Sequence, residues 1–158
     1  MGATRSRCGR AGVVAWIAVV VGSACTEHSV GPARTYDDFE RKSRTTAEVA
    51  LSAVETVRLL AETAAAGDAF AAYTNVSLSE QEEALAAADG DFASIQPPDA
   101  RSEQLRDDLG RILDDASGHI ADVRIVARRG DLDALDEIAA PLAEDSAALD
   151  AYLKSIER

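Results

Sequence analysis

The chain has few of the residues that carry enzyme or cofactor chemistry. Its 158 residues include two Cys, two His, one Met and one Trp. A c-type haem site needs Cys-x-x-Cys-His, and a carboxylate-bridged di-iron bundle needs Glu-x-x-His on two helices. The sequence contains neither pattern, nor a glycine-rich phosphate loop or a G-x-S-x-G nucleophile elbow. We therefore expect a protein that is not an enzyme and holds no cofactor.

Basic residues are also scarce, and acidic residues dominate the charge. The chain has 28 acids against 16 bases, a net charge of −12. All the acids follow residue 25, whereas three arginines precede it, so residues 25–158 carry 13 bases against 28 acids, a net −15. Nucleic-acid binding needs a basic patch that neutralises phosphates. The charge balance therefore predicts no nucleic-acid partner.

Long hydrophobic runs are absent except at the N-terminus. Arg5, Arg7 and Arg10 precede the run VVAWIAVVV at residues 13–21. Even the wider segment 11–24 has only 14 residues, whereas a spanning helix needs about 20 mainly apolar residues. The segment has the length and the basic flank of a signal peptide.

The residues that follow this run, Gly22-Ser23-Ala24-Cys25, resemble the lipobox of bacterial lipoprotein precursors. Ser23, Ala24 and Cys25 match its last three positions, and Gly22 stands where an aliphatic residue is usual. The resemblance covers only about the first 25 residues. It implies a diacylglycerol on Cys25, which would become the mature N-terminus. The alternative is a secreted protein cut near Ala24 by the ordinary signal peptidase.

The expected organisation is a signal peptide (1–24), a lipidated tether (25–35) and one helical domain (36–158). The protein would lie at the extracytoplasmic face of the cell membrane, anchored through Cys25. Loss of the leader removes Cys8, and acylation uses Cys25, so the exported domain has no cysteine for a disulfide. We expect a domain that is stable through packing alone.

Apolar residues recur at helical spacing in four segments. The first helix is predicted over residues 36–66, followed by a short helical piece. Its predicted seam consists of Phe39, Thr46, Ala50, Ala53, Val57, Leu60 and Ala64. An interruption at Asn75-Val76-Ser77 precedes a second helix that starts at Ser79, where Glu82 completes a capping-box pattern. That helix is expected to end at Gln96-Pro97-Pro98.

The third helix is predicted over residues 100–129, with Asp99 as its N-cap, and the fourth over 132–156. The third carries a heptad seam, widened by Leu113 and Ile120, that consists of Leu105, Leu109, Ile112, Ala116, His119, Val123 and Val126. Pro141 should kink the fourth helix or divide it. Gly67-Asp68 and Gly130-Asp131 each have the pattern of a helix stop followed by an N-cap. The predicted fold is all-α, an antiparallel up-down four-helix bundle, and a three-helix bundle with a broken hairpin is the alternative.

His119 is the one residue on a predicted apolar seam that could do chemistry. Asp115, four residues earlier, could face it on the same side of the helix. No His cluster accompanies it, so a structural, hydrogen-bonded histidine is the preferred interpretation over a metal ligand. The sequence predicts no catalytic or metal-binding residue, and Cys25 is the only predicted site.

Two functions from different classes remain open. The first is a non-enzymatic envelope lipoprotein that binds or spaces another protein. It predicts a continuous core and an exposed apolar patch on one helix face. The second is a lipoprotein that binds a small ligand or cation between helices. This second function predicts a pocket lined by seam residues, with His119 or a seam-facing carboxylate directed into it.

Overall fold

A computed structural model describes residues 31–157, and 83% of these residues are helical, with no strand among them. The predicted signal peptide and residues 25–30 of the tether lie outside the described residues. The helices are α1 (Tyr36–Ala65), α2 (Ala71–Ala93), α3 (Ala100–Arg128), a 3-10 turn (Leu132–Ala134), α4 (Leu135–Ala139) and α5 (Leu142–Ile156).

The seam predicted for the first helix is confirmed along the whole of α1. Its members are all buried: Phe39, Thr46, Ala50, Ala53, Val57, Leu60 and Ala64. Steps of three, four and seven keep these side chains on one face of a 3.6-residue helix. α1 therefore contributes a continuous apolar stripe to the core.

The helix ends follow the predicted stop and cap residues in part. Gly67 and Gly130 adopt φ values of 78° and 80°, the left-handed conformation that glycine accepts without strain. The Asp99 carboxylate accepts a 2.8 Å hydrogen bond from the Ser102 backbone N–H and caps α3. This bond and that from the Ser102 hydroxyl lower the pKa of Asp99. The prediction of Asp68 as an N-cap is wrong, because α2 begins after Phe70 without a side-chain cap.

The predicted interruption of the second helix is also wrong. α2 runs unbroken through residues 75–77, and Ser79 lies inside it, so the capping box does not form. Asn75 Nδ2 donates to the Ala71 carbonyl and the Ser79 hydroxyl donates to the Asn75 carbonyl, so both side chains form hydrogen bonds within the helix, although Asn75 Oδ1 has no partner. Ser77 and Leu78 are buried. Packing of this segment thus outweighs its low helix propensity.

Pro141 divides the last segment, as predicted. α4 ends at Ala139 and α5 starts at Leu142, and Pro141 occupies the junction with φ −60°. A proline at the start of a helix loses nothing, since its missing N–H would have no partner there. The fourth predicted helix is therefore two short helices.

The helices pack around one core. α2 contacts α1 and α3, α4 and α5 contact the same two helices, and α1 also contacts α3. The Phe39 and Phe92 rings meet with centroids 5.3 Å apart. At the same end of α1, the Arg44 guanidinium donates to the Ile156 carbonyl at 3.1 Å. The start of α1 therefore lies beside the ends of α2 and α5.

The buried stripe of α3 is turned slightly from the predicted heptad seam. Leu113 and Ile120, which were expected to widen the seam, are fully buried, whereas four seam residues are only partly buried: Leu105, Ile112, His119 and Val126. The buried residues themselves follow steps of four and three: Leu109, Leu113, Ala116, Ile120, Val123 and Ala127.

Tyr152 of α5 gives the domain an alkaline limit. Burial raises its pKa from 10.0 to about 12, and its hydroxyl donates to the Leu105 carbonyl at 3.4 Å. Because the folded state favours the neutral phenol, Tyr152 contributes fully to the free energy of unfolding below pH 10. This contribution is lost as the pH rises from 10 towards 12. We expect Tyr152→Phe to flatten the decline of melting temperature over that window, measured by circular dichroism. An equal decline in both proteins would contradict this.

Candidate functional site

The structure pairs His119 with a carboxylate on another helix. Nδ1 of His119 and Oδ2 of Asp145 lie 2.7 Å apart. The Asp145 side chain is 7% exposed and that of His119 is 36% exposed. Nδ1 is thus engaged with Asp145, and Nε2 of His119 is left for other partners. Asp115, the partner suggested by the sequence, is exposed on its own helix.

Asp145 lies on the buried stripe of α5, between Leu142 and Leu149. The buried residues of this helix are Leu142, Asp145, Leu149, Tyr152 and Ile156. Their steps of three and four form a heptad seam, and Asp145 fills one position of it. Asp145 was not among the predicted site residues, although the heptad continued from Leu142 places an acid on the seam.

A cleft of about 480 Å³ borders the His119 imidazole. It is lined by His119, Asp122, Ile125, Val126, Arg129, Glu137, Ile138 and Pro141. The cleft opens beside the Pro141 junction and carries charges of both signs. Among residues 31–157, no three His, Cys, Asp or Glu side chains come together as a metal-ligating group. The His119–Asp145 pair therefore offers an imidazole to the cleft without a preformed cation site.

Three large apolar side chains stand exposed at the start of α2, with Phe70 at its N-cap and Tyr73 and Val76 in its first two turns. Phe70 is 87% exposed, Tyr73 62% and Val76 58%. Their three-residue spacing places them on neighbouring positions of one side of the helix. Single exposed apolar residues are ordinary, but a contiguous group is typical of an interaction site. We refer to Phe70, Tyr73 and Val76 as the α2 surface.

A groove of about 450 Å³ adjoins the α2 surface at Val76. It is lined by Asn75, Val76, Ser79, Glu80, Glu83 and Arg128. The Oδ1 atom of Asn75 is buried and accepts no hydrogen bond, although buried acceptors in proteins nearly always find a donor. The groove thus combines an apolar edge with the exposed carboxylates of Glu80 and Glu83.

The electrostatics along α2 are one-sided. Residues 59–99 contain eight acids and no base. Glu82 pairs with Arg124 of α3, with Oε2 and Nε 2.5 Å apart. Burial and the negative charge of Asp114 raise the pKa of Asp89. α3 therefore neutralises α2 at one position and adds to its negative field at another.

Comparison of the chain with protein-family models, curated proteins and solved structures finds no match. The predicted lipidation site Cys25 lies outside the described residues. Within residues 31–157, no helix combines the length and the apolar character that a bilayer span requires.

Proposed function

We propose that the protein is a non-enzymatic, membrane-anchored extracytoplasmic lipoprotein whose helical domain binds another envelope protein. The observation that carries the protein-binding part is the α2 surface. Phe70 and Tyr73 remain in solvent on a domain that buries its other aromatic side chains wholly or in part. Aromatic residues are enriched at the surfaces where proteins bind one another.

The anchoring part of the proposal is supported by the N-terminal sequence. Three arginines, a short apolar run and Gly22-Ser23-Ala24-Cys25 occur in the order that lipoprotein export requires. Two or more acyl chains on Cys25 would hold the domain stably at the membrane, whereas one would hold it only marginally.

We propose an up-down-up-down order for the four helical segments. In support, the first turns of α1 carry Phe39 and Arg44, whose partners Phe92 and Ile156 lie near the ends of α2 and α5. Tyr152, late in α5, donates to Leu105, early in α3. Short connections between consecutive helices favour antiparallel neighbours.

Lipidation is tested by metabolic labelling with an alkyne fatty acid. We expect the wild-type protein to be labelled and the Cys25→Ser variant to show at least a tenfold lower signal, because only Cys25 follows the lipobox-like residues. Cys8→Ser serves as the matched control and should label like the wild type. Labelling that survives Cys25→Ser would remove the anchor from the proposal.

A second candidate function, binding of a small ligand or cation, is favoured by the His119 cleft. A seam-facing carboxylate holds the imidazole at the edge of a space of about 480 Å³. Such a buried Asp–His pair is the arrangement that orients an imidazole toward a ligand. A ligand bound there should depend on His119 and be indifferent to Tyr73, the reverse of the protein-binding function.

A further inference from the structure

We propose that the α2 surface and its groove bind a basic amphipathic helix of a partner protein. The inference rests on the proposed protein-binding function and names the chemistry of the partner. Its apolar side chains would cover Phe70, Tyr73 and Val76. Its arginines would reach the carboxylates of the groove.

Charge complementarity selects a basic occupant. Glu80 and Glu83 line the groove, and among residues 31–157 neither forms an ion pair. Arg128 is the one cation among the groove-lining residues. Arginine satisfies a carboxylate through two parallel hydrogen bonds, and its guanidinium also stacks on the face of a tyrosine such as Tyr73.

The exposed carboxylates of Glu80 and Glu83 are the groups of the groove that a basic side chain can reach. Asn75 Nδ2 donates to the Ala71 carbonyl at 2.9 Å, and its Oδ1 atom is buried, so this amide is not offered to a partner. An arginine or lysine side chain seated in the groove would pair with the two carboxylates.

The position of the α2 surface argues against a lipid surface as the occupant. α1 has 30 residues and begins next to the tether, whereas α2 begins five residues beyond its far end. At 1.5 Å per residue, α1 separates the two by about 45 Å. Membrane surfaces attract basic segments, and the acidic residues of α2 would oppose anionic lipids. The acidic residues of α2 would also repel the identical residues of a second copy of this chain.

Binding is tested with the full chain in phosphatidylcholine nanodiscs and a fluorescent 18-residue helical peptide. The peptide carries leucines on one face and arginines on the other. Its twin carries glutamates in place of the arginines. Fluorescence anisotropy should give a Kd for the arginine peptide at least tenfold below that of the twin, after subtraction of empty nanodiscs.

Variants assign the binding to the α2 surface. Tyr73→Ala and Glu83→Arg should each raise the Kd at least fivefold. Tyr73→Ala removes an apolar contact with the peptide, and Glu83→Arg replaces a carboxylate that would pair with its arginines. Val49→Ala and Glu48→Arg make matched changes at exposed positions of α1 and should leave the Kd within twofold. Circular dichroism should show all four variants folded, since the replaced side chains are exposed.

Several results would overturn the inference. One is equal affinity for the two peptides, and another is equal loss in Glu83→Arg and Glu48→Arg. A sedimenting dimer that Tyr73→Ala converts to monomer would give the surface to a second copy. Vesicle binding lost in Tyr73→Ala would give it to lipid. Cys25 labelling is independent of these results, so failure of the peptide leaves the anchoring proposal standing.

Discussion

Phe39→Ala is expected to lower the free energy of unfolding by about 3–5 kcal/mol. Phe39 is fully buried, packs on Phe92 at 5.3 Å, and lies under the Arg106 guanidinium at 5.8 Å from its ring centroid. Nε and Nη2 of Arg106 have no hydrogen-bond partner, so the ring face is the contact on which this cation depends. Truncation therefore leaves a cavity and removes the ring face from the half-buried Arg106 guanidinium.

Chemical denaturation of Phe39→Ala against Phe70→Ala measures the effect. Both variants remove a phenylalanine ring, but Phe70 is 87% exposed, so its loss should change stability by less than about 0.5 kcal/mol. Phe39→Leu should fall between the two. A natural domain is stable by about 5–15 kcal/mol, so the Phe39→Ala loss is a large part of the total. Similar losses in Phe39→Ala and Phe70→Ala would contradict the assignment of Phe39 to the core.

Local signals in the sequence predicted much of the helical layout. Asp99 before a periodic segment, glycines at positions 67 and 130, and Pro141 inside another segment each act through the backbone of a few adjacent residues. Each of these effects depends on adjacent residues alone, so it can be predicted without knowledge of tertiary contacts. The apolar seam of α1 is equally local, since its period depends only on helix geometry.

Predictions that depended on neighbouring helices failed or remained incomplete. The segment around Asn75 has weak helix propensity, yet the burial of Ser77 and Leu78 keeps it in α2. For His119, the sequence offered Asp115 on the same helix, whereas the partner is Asp145, 26 residues away. Only packing of α5 against α3 brings the two side chains together. The exposure of Phe70 and Tyr73 likewise depends on which faces the other helices cover.

His119→Ala is expected to lower the free energy of unfolding by about 1–3 kcal/mol, because it leaves the buried Asp145 carboxylate without its partner. The Asp145 side chain is 7% exposed, so water cannot replace the imidazole fully. Asp115→Ala is the matched control. It removes an exposed acid from the same helix and should change stability by less than about 0.5 kcal/mol.

A second substitution separates the paired carboxylate from the packing around it. In His119→Ala/Asp145→Leu, an apolar side chain of the same branched shape replaces the stranded carboxylate, and the space left by the imidazole admits its larger volume, so most of the lost stability should return. A double variant as unstable as His119→Ala would instead attribute the loss to the imidazole's own packing.

Thermal melts with Zn²⁺, Ca²⁺ or haem add a functional readout. A rise of several degrees in the wild type that disappears in His119→Ala would favour the ligand-binding function, because a purely structural pair gives no such dependence.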